Sequence, residues 1–215
     1  MSEKRIGVLG GTFDPPHVGH LIVASEALWR LELDVVRLVP ARVPPHKPPG
    51  GQSDGDRRAA WLEAAIAGAP GLEVSRIELD RAGEGPSYTA DTLEEMGAAE
   101  PGALLWFILG ADQLAGLPGW RDPERILAAA RLAVVPRAGH DAPALAERIA
   151  PGRADLVEVP EIGVSSSMIR ERIARGLPIR FLVPAEVEKS LRREGLVASP
   201  EPVPERKDHS RPRSS

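Results

Sequence analysis

The chain contains no cysteine, which excludes disulfides, thiolate metal sites and cysteine nucleophiles together and fits a reducing compartment. It has no apolar run near the roughly 20 residues that span a bilayer. Its opening "MSEKRIGVLGG" also lacks the apolar segment of a secretory signal, so a cytoplasmic location is expected. Charge of one sign is missing too: 27 Lys and Arg against 31 Asp and Glu give a formal net charge of −4, too balanced to coat an anionic membrane or wrap nucleic acid. Aromatic residues make up 4%, and no basic, aromatic-studded extension is present, so partners of both those kinds are not expected. What remains is 215 residues with 42% apolar content, enough for one core, and a single α/β domain is the default.

Short apolar segments alternate with helix-patterned ones. Residues 5–10, 34–40, 72–79, 103–110, 131–136 and 154–160 are aliphatic and of strand length. Helical spacing falls at about 18–31, 56–68, 89–97, 122–129, 142–149, 166–175 and 185–194. In the first of these Val18, Leu21, Ile22, Ser25, Leu28 and Trp29 form one stripe. Such alternation predicts a Rossmann-like, doubly wound parallel sheet with helices on both faces. Residues 41–55, "ARVPPHKPPGGQSDG", form a loop by composition, as does the stretch around 112–120. The domain is expected to span 1–198, followed by a disordered tail over 199–215 whose composition is proline, serine and charge.

The stretch "GGTFDPPHVGH" (10–20) joins the first strand to the first helix, where α/β proteins bind phosphate. It lacks the Lys-Ser/Thr end of a P-loop and the spaced glycines of the dinucleotide fingerprint. His17 and His20 stand three apart and project on one face, offering imidazole donors to an oxyanion, with Gly19 between them leaving room for close approach. The plain alternative is a turn in which Asp14 caps the helix and the histidines are incidental. Zinc is disfavoured by the spacing and by the few other imidazoles, His46, His140 and His209. In "VSSSMIR" (164–170), hydroxyls at a helix start and Arg170 one turn on make a second candidate anion site, or else a serine cap with a solvated arginine. "GADQLAGLPGW" (110–120) follows the most apolar strand, where ligands of parallel sheets gather. There Asp112 is a candidate for ribose hydroxyls, and Trp120 either stacks a ring or anchors the loop.

The stretch at 10–20 resembles the signature of the nucleotidylyltransferase superfamily. With "PPHK" (44–47), "SYTADTL" (87–93), "GADQLAGLPGW" and "VSSSMIR", the chain resembles the bacterial nicotinate-mononucleotide adenylyltransferases from about residue 5 to 195. The resemblance implies adenylyl transfer from ATP to nicotinate mononucleotide, without a covalent enzyme intermediate and with Mg²⁺ delivered on ATP. It implies an ATP site at Gly10, Gly11, Thr12, Phe13, His17, His20, Gly110, Asp112, Ser166, Ser167 and Arg170, with His20 and His17 catalytic. For the mononucleotide it implies Lys47 and His46 on phosphate, the amides of Thr89 and Gly116 on the carboxylate, and Trp120 on the ring. The family usually has threonine where Ser167 stands, and aromatics that "VEKSLRREGLV" (187–197) lacks. Nicotinamide mononucleotide, phosphopantetheine and a non-catalytic nucleotide sensor are the competing readings, and a homo-oligomer stays open.

Overall fold

The structure, a computed structural model, describes residues 3–43, 52–82 and 85–197. Six parallel strands, β1 (Arg5–Gly11), β2 (Val35–Pro40), β3 (Leu72–Val74), β4 (Leu104–Gly110), β5 (Arg131–Val135) and β6 (Ala154–Leu156), form one sheet in the order β3-β2-β1-β4-β5-β6. The chain winds outward from β1 through β3, then returns to the other side of β1 for β4. The crevice between the carboxyl ends of β1 and β4 is therefore the switch point at which open α/β sheets take ligands.

Period-two alternation separates two cores. Ile6, Val8, Leu105, Phe107, Leu109, Leu132 and Val134 face one, closed by α3 (Thr89–Ala99), α4 (Ala111–Gly116), α5 (Pro123–Ala129) and α6 (Ala142–Ile149). Leu9, Val36, Leu38, Trp106, Ile108 and Val135 face the other, beneath α1 (Val18–Arg30) and α2 (Gly55–Ile66). A third cluster joins Trp61 of α2 to Ile169 of α7 (Ser166–Ala174) and to Val187 and Leu191 of α8 (Ala185–Arg193). Among the described residues no helix is long and apolar enough to cross a membrane.

Three expectations change. The buried face of α1 is Val23, Ala24 and Ala27, small residues that let the helix lie close to the sheet, while Trp29 is 73% exposed with the Arg30 guanidinium over its ring. β3 stops at Val74 and β6 at Leu156, short of the expected 79 and 160; past β3 the chain turns and brings Glu78 inward against Thr92 of α3. Residues 111–116 are a helix and not a loop, followed by a single 3-10 turn, Leu117–Gly119. The tail at 199–215 lies outside the described residues.

Candidate active site

The turn after β1 is held from several sides. Phe13 adopts φ 51°, a left-handed conformation rare for a bulky residue, and is 1% exposed. Its ring lies where a Cβ on Gly11 would stand, 3.0 to 3.2 Å away, and meets the His20 ring edge-on at 4.8 Å. The Asp14–Pro15 peptide is cis. Asp14 does not cap α1: its carboxylate accepts the Ser53 amide at 3.2 Å, and His17 is the N-cap.

The two histidines are stacked, with ring centroids 3.6 Å apart. His20 Nδ1 accepts the His17 backbone N–H at 3.1 Å, reaching back as a glutamate does in a capping box. A nitrogen that accepts carries no proton, so the His20 proton sits on Nε2. Gly19 serves His17 first: a Cβ there would lie 3.0 Å from His17 Nδ1. His17 is 7% exposed, and burial, assisted by the Arg137 charge, pulls its pKa from 6.5 down to about 4. It is a neutral ring at pH 7.

That shift makes stability pH-dependent. An unfolded chain protonates His17 near pH 6.5 and the folded chain only near 4, so the unfolded state binds more protons throughout that window. Stability is therefore lost as pH falls from 6.5 to 4, by about 3 kcal/mol from this residue. Urea unfolding of wild type and His17→Asn across this range should show the steeper loss in wild type; parallel curves would mean that His17 is not held neutral.

Two cavities open at the switch point. One, of about 280 Å³, is walled by Gly10, Gly11, His17, Gly19, His20, Gly110, Gln113, Arg137 and Ser165. The other, of about 330 Å³, is walled by Gly10, Gly11, Thr12, Glu78, Tyr88, Thr89, Phe107, Gln113, Trp120 and Arg121. They share Gly10, Gly11 and Gln113.

The structure thus brings Gly10, Gly11, His17, His20 and Gly110 to the first cavity, and Thr12, Thr89 and Trp120 to the second. Gly116 lies beside Trp120, where a Cβ would be 3.7 Å from Nε1. Asp112 sits at an outer groove, with Oδ1 4.0 Å from Arg137 Nε. At α7 the cleft wall is Ser165, whose Oγ caps the helix by accepting the Met168 amide. Ser166 Oγ donates to the Pro15 carbonyl at 2.9 Å, and Arg170 donates to the Asp14 carbonyl at 2.7 Å and to Ser167 Oγ at 3.1 Å. Ser166 and Arg170 thereby tie α7 to the turn after β1. His46 and Lys47 lie outside the described residues.

The sequence reading missed Ser165, Gln113, Arg137, Glu78 and Arg121. Arg137 carries a signal, a basic residue two positions past the end of β5. Arg121 lies over the Tyr88 ring at 4.4 Å. Glu78 accepts from Thr92 Oγ1 at 2.8 Å, its Oε2 has no hydrogen-bond partner among the described residues, and burial pushes its pKa up.

Residues 8–172 match the family described as Cytidylyltransferase-like. A protein of Halalkalibacterium halodurans named probable nicotinate-nucleotide adenylyltransferase is 42% identical over 194 residues, covering 90% of this chain and 91% of its own. One of the same name from Roseiflexus sp. is 44% identical, covering 91% and 99%. The chain belongs to the nicotinate-nucleotide adenylyltransferase family. Its fold is that of Plasmodium falciparum nicotinic acid mononucleotide adenylyltransferase, solved in complex with NaAD, with a TM-score of 0.75 at 15% identity over 90% of this chain and 97% of that one. Family membership favours a nucleotide-binding reading of the two cavities over an incidental turn.

Proposed function

We propose that the protein is a cytoplasmic enzyme of NAD biosynthesis that transfers AMP from MgATP to nicotinate mononucleotide, giving nicotinate adenine dinucleotide and pyrophosphate. The observation that carries this reading is the pair of cavities meeting at Gly10, Gly11 and Gln113, one beside the histidines and one beside Trp120. A 5′-phosphate oxygen of the mononucleotide attacks the α-phosphorus. The new P–O bond forms as the bond to the β-phosphate oxygen breaks, and pyrophosphate leaves with that electron pair. The acceptor is already an anionic oxygen, so no protein nucleophile is needed, and catalysis consists of holding two polyanions in line and stabilising the developing charge.

In this scheme His20 donates from Nε2 to an α-phosphate oxygen, and His17 stands beside it on the triphosphate. Ser166, Ser167 and Arg170 hold the triphosphate at the start of α7, while Lys47 and His46 face the acceptor's phosphate. Mg²⁺ enters as part of the MgATP substrate. The acid form of the acceptor is favoured by the start of α3: the amides of the first turn, Thr89 among them, lack partners within the helix and lie at its positive end. The Trp120 ring, set edge-on to Phe107 with centroids 6.1 Å apart and 65° between the planes, supplies a flat apolar face for the pyridine ring.

Pyrophosphate release from MgATP, followed in parallel with nicotinate mononucleotide, nicotinamide mononucleotide and phosphopantetheine, tests the proposal. The expected outcome is at least a tenfold preference in kcat/KM for the first, since a carboxylate pairs with amides that a neutral carboxamide pairs less well. A preference for either other acceptor would discard the carboxylate pocket. Turnover of none, with ATP still bound, would favour a sensor.

A further inference from the structure

The reacting atoms must meet where the two cavities meet, and Gln113 is the one side chain, among the described residues, that lines both. The other shared residues, Gly10 and Gly11, offer only backbone. Gln113 stands three residues after Gly110, the N-cap of α4, and its Oε1 accepts the Gly110 amide at 3.0 Å. That bond fixes the amide group's orientation. With Oε1 turned to the Gly110 amide, Nε2 is the donor the side chain can offer an anion. Gln113 faces Gly10 and Gly11 across the crevice between β4 and β1. A donor held there before substrate arrives needs no reorganisation when charge develops on the transferring phosphate.

We infer that Gln113 is a further catalytic residue, its Nε2 donating to a phosphate oxygen at the point of adenylyl transfer. This rests on the reaction proposed above. The bland alternative is that Gln113 only caps α4; a cap alone costs stability and leaves kcat unchanged, whereas a donor to the reacting phosphate costs kcat. Gln113→Glu keeps an oxygen for the Gly110 amide but replaces the donor with an anionic acceptor. Gln113→Ala removes both.

Steady-state kinetics of wild type, Q113A and Q113E with MgATP and nicotinate mononucleotide, together with thermal midpoints, decide between them. The expected result is a kcat about tenfold lower in Q113A and about fiftyfold lower in Q113E, because a hydrogen bond to a charged group is lost in the first and reversed in the second. The KM for each substrate in Q113A should stay within about threefold of wild type, and the Q113E midpoint should match wild type. A wild-type kcat in Q113A or in Q113E overturns the inference and leaves Gln113 a cap. Should Q113A not fold, Gln113→Met, neutral and of similar reach but without a donor, takes its place. A wild-type protein that turns over none of the acceptors fails the parent reaction, and this inference with it; a wild type active beside an unimpaired Q113A or Q113E fails only the inference.

Discussion

His20→Ala is expected to lower kcat by about 10² to 10³, the usual cost of removing one preorganised donor from a developing oxyanion. The size follows from how the ring is held. Its Nδ1 accepts the His17 amide, its face stacks on His17, and its edge meets Phe13, so the Nε2 proton is aimed before substrate binds. Alanine also removes a helix cap, which costs about 1 kcal/mol and would not unfold a domain of this size. His20→Asn separates the two roles. An asparagine oxygen reproduces the Nδ1 acceptor and restores the start of α1, yet nothing in it reaches the Nε2 position. The asparagine variant should therefore unfold at the wild-type urea concentration while turning over as slowly as the alanine variant. A kcat within about fivefold of wild type in either would remove His20 from the chemistry.

What could be read in the sequence and what could not divide along physical lines. The strands of the central sheet were legible because each is buried on both faces, so that Leu105, Phe107 and Leu109 serve one core while Trp106 and Ile108 serve the other. The histidine pair was legible because a spacing of three at a helix start fixes a shared face. The stripe on α1 holds for Leu21 and Leu28, which pack against the core, and fails at Trp29, because the helix approaches the sheet closely through Ala24 and Ala27. The helix at Ala111–Gly116 hid among glycines, and its signal was a glutamine three residues past a glycine cap. At α7 the hydroxyls were legible, but which of them faces the cleft was not. That depends on Ser166 and Arg170 reaching the carbonyls of Pro15 and Asp14 more than 150 positions earlier. Glu78 and Arg58 went unread for the same reason: the partners that bury them are distant in sequence.

Arg58 is where loss of a side chain should cost the fold most. It is 1% exposed, and its guanidinium donates to three carbonyls: Thr12 in the phosphate turn at 2.8 Å, Ala41 after β2 at 2.7 Å and Ser53 before α2 at 2.9 Å. Burial pulls its pKa down, while Asp14, Asp54 and Glu78 act in the opposite direction. Replacing it with methionine, similar in reach but apolar, takes the guanidinium away from three part-buried carbonyls and removes a positive charge near Asp14, which is 3% exposed. Removing one partner of such a buried set costs about 3–5 kcal/mol. Urea unfolding at pH 7 should show that loss in Arg58→Met. Arg58→Lys should recover only part of it, because one ammonium cannot point toward three segments at once. The double variant Arg58→Met with Asp14→Asn should be more stable than Arg58→Met alone, since neutralising Asp14 removes the stranded charge. A loss below about 1 kcal/mol in Arg58→Met, or simple additivity in the double variant, would mean that the turn carrying His17 and His20 is held by its own backbone. The expected coupling would instead make Arg58 the residue through which the phosphate turn depends on α2.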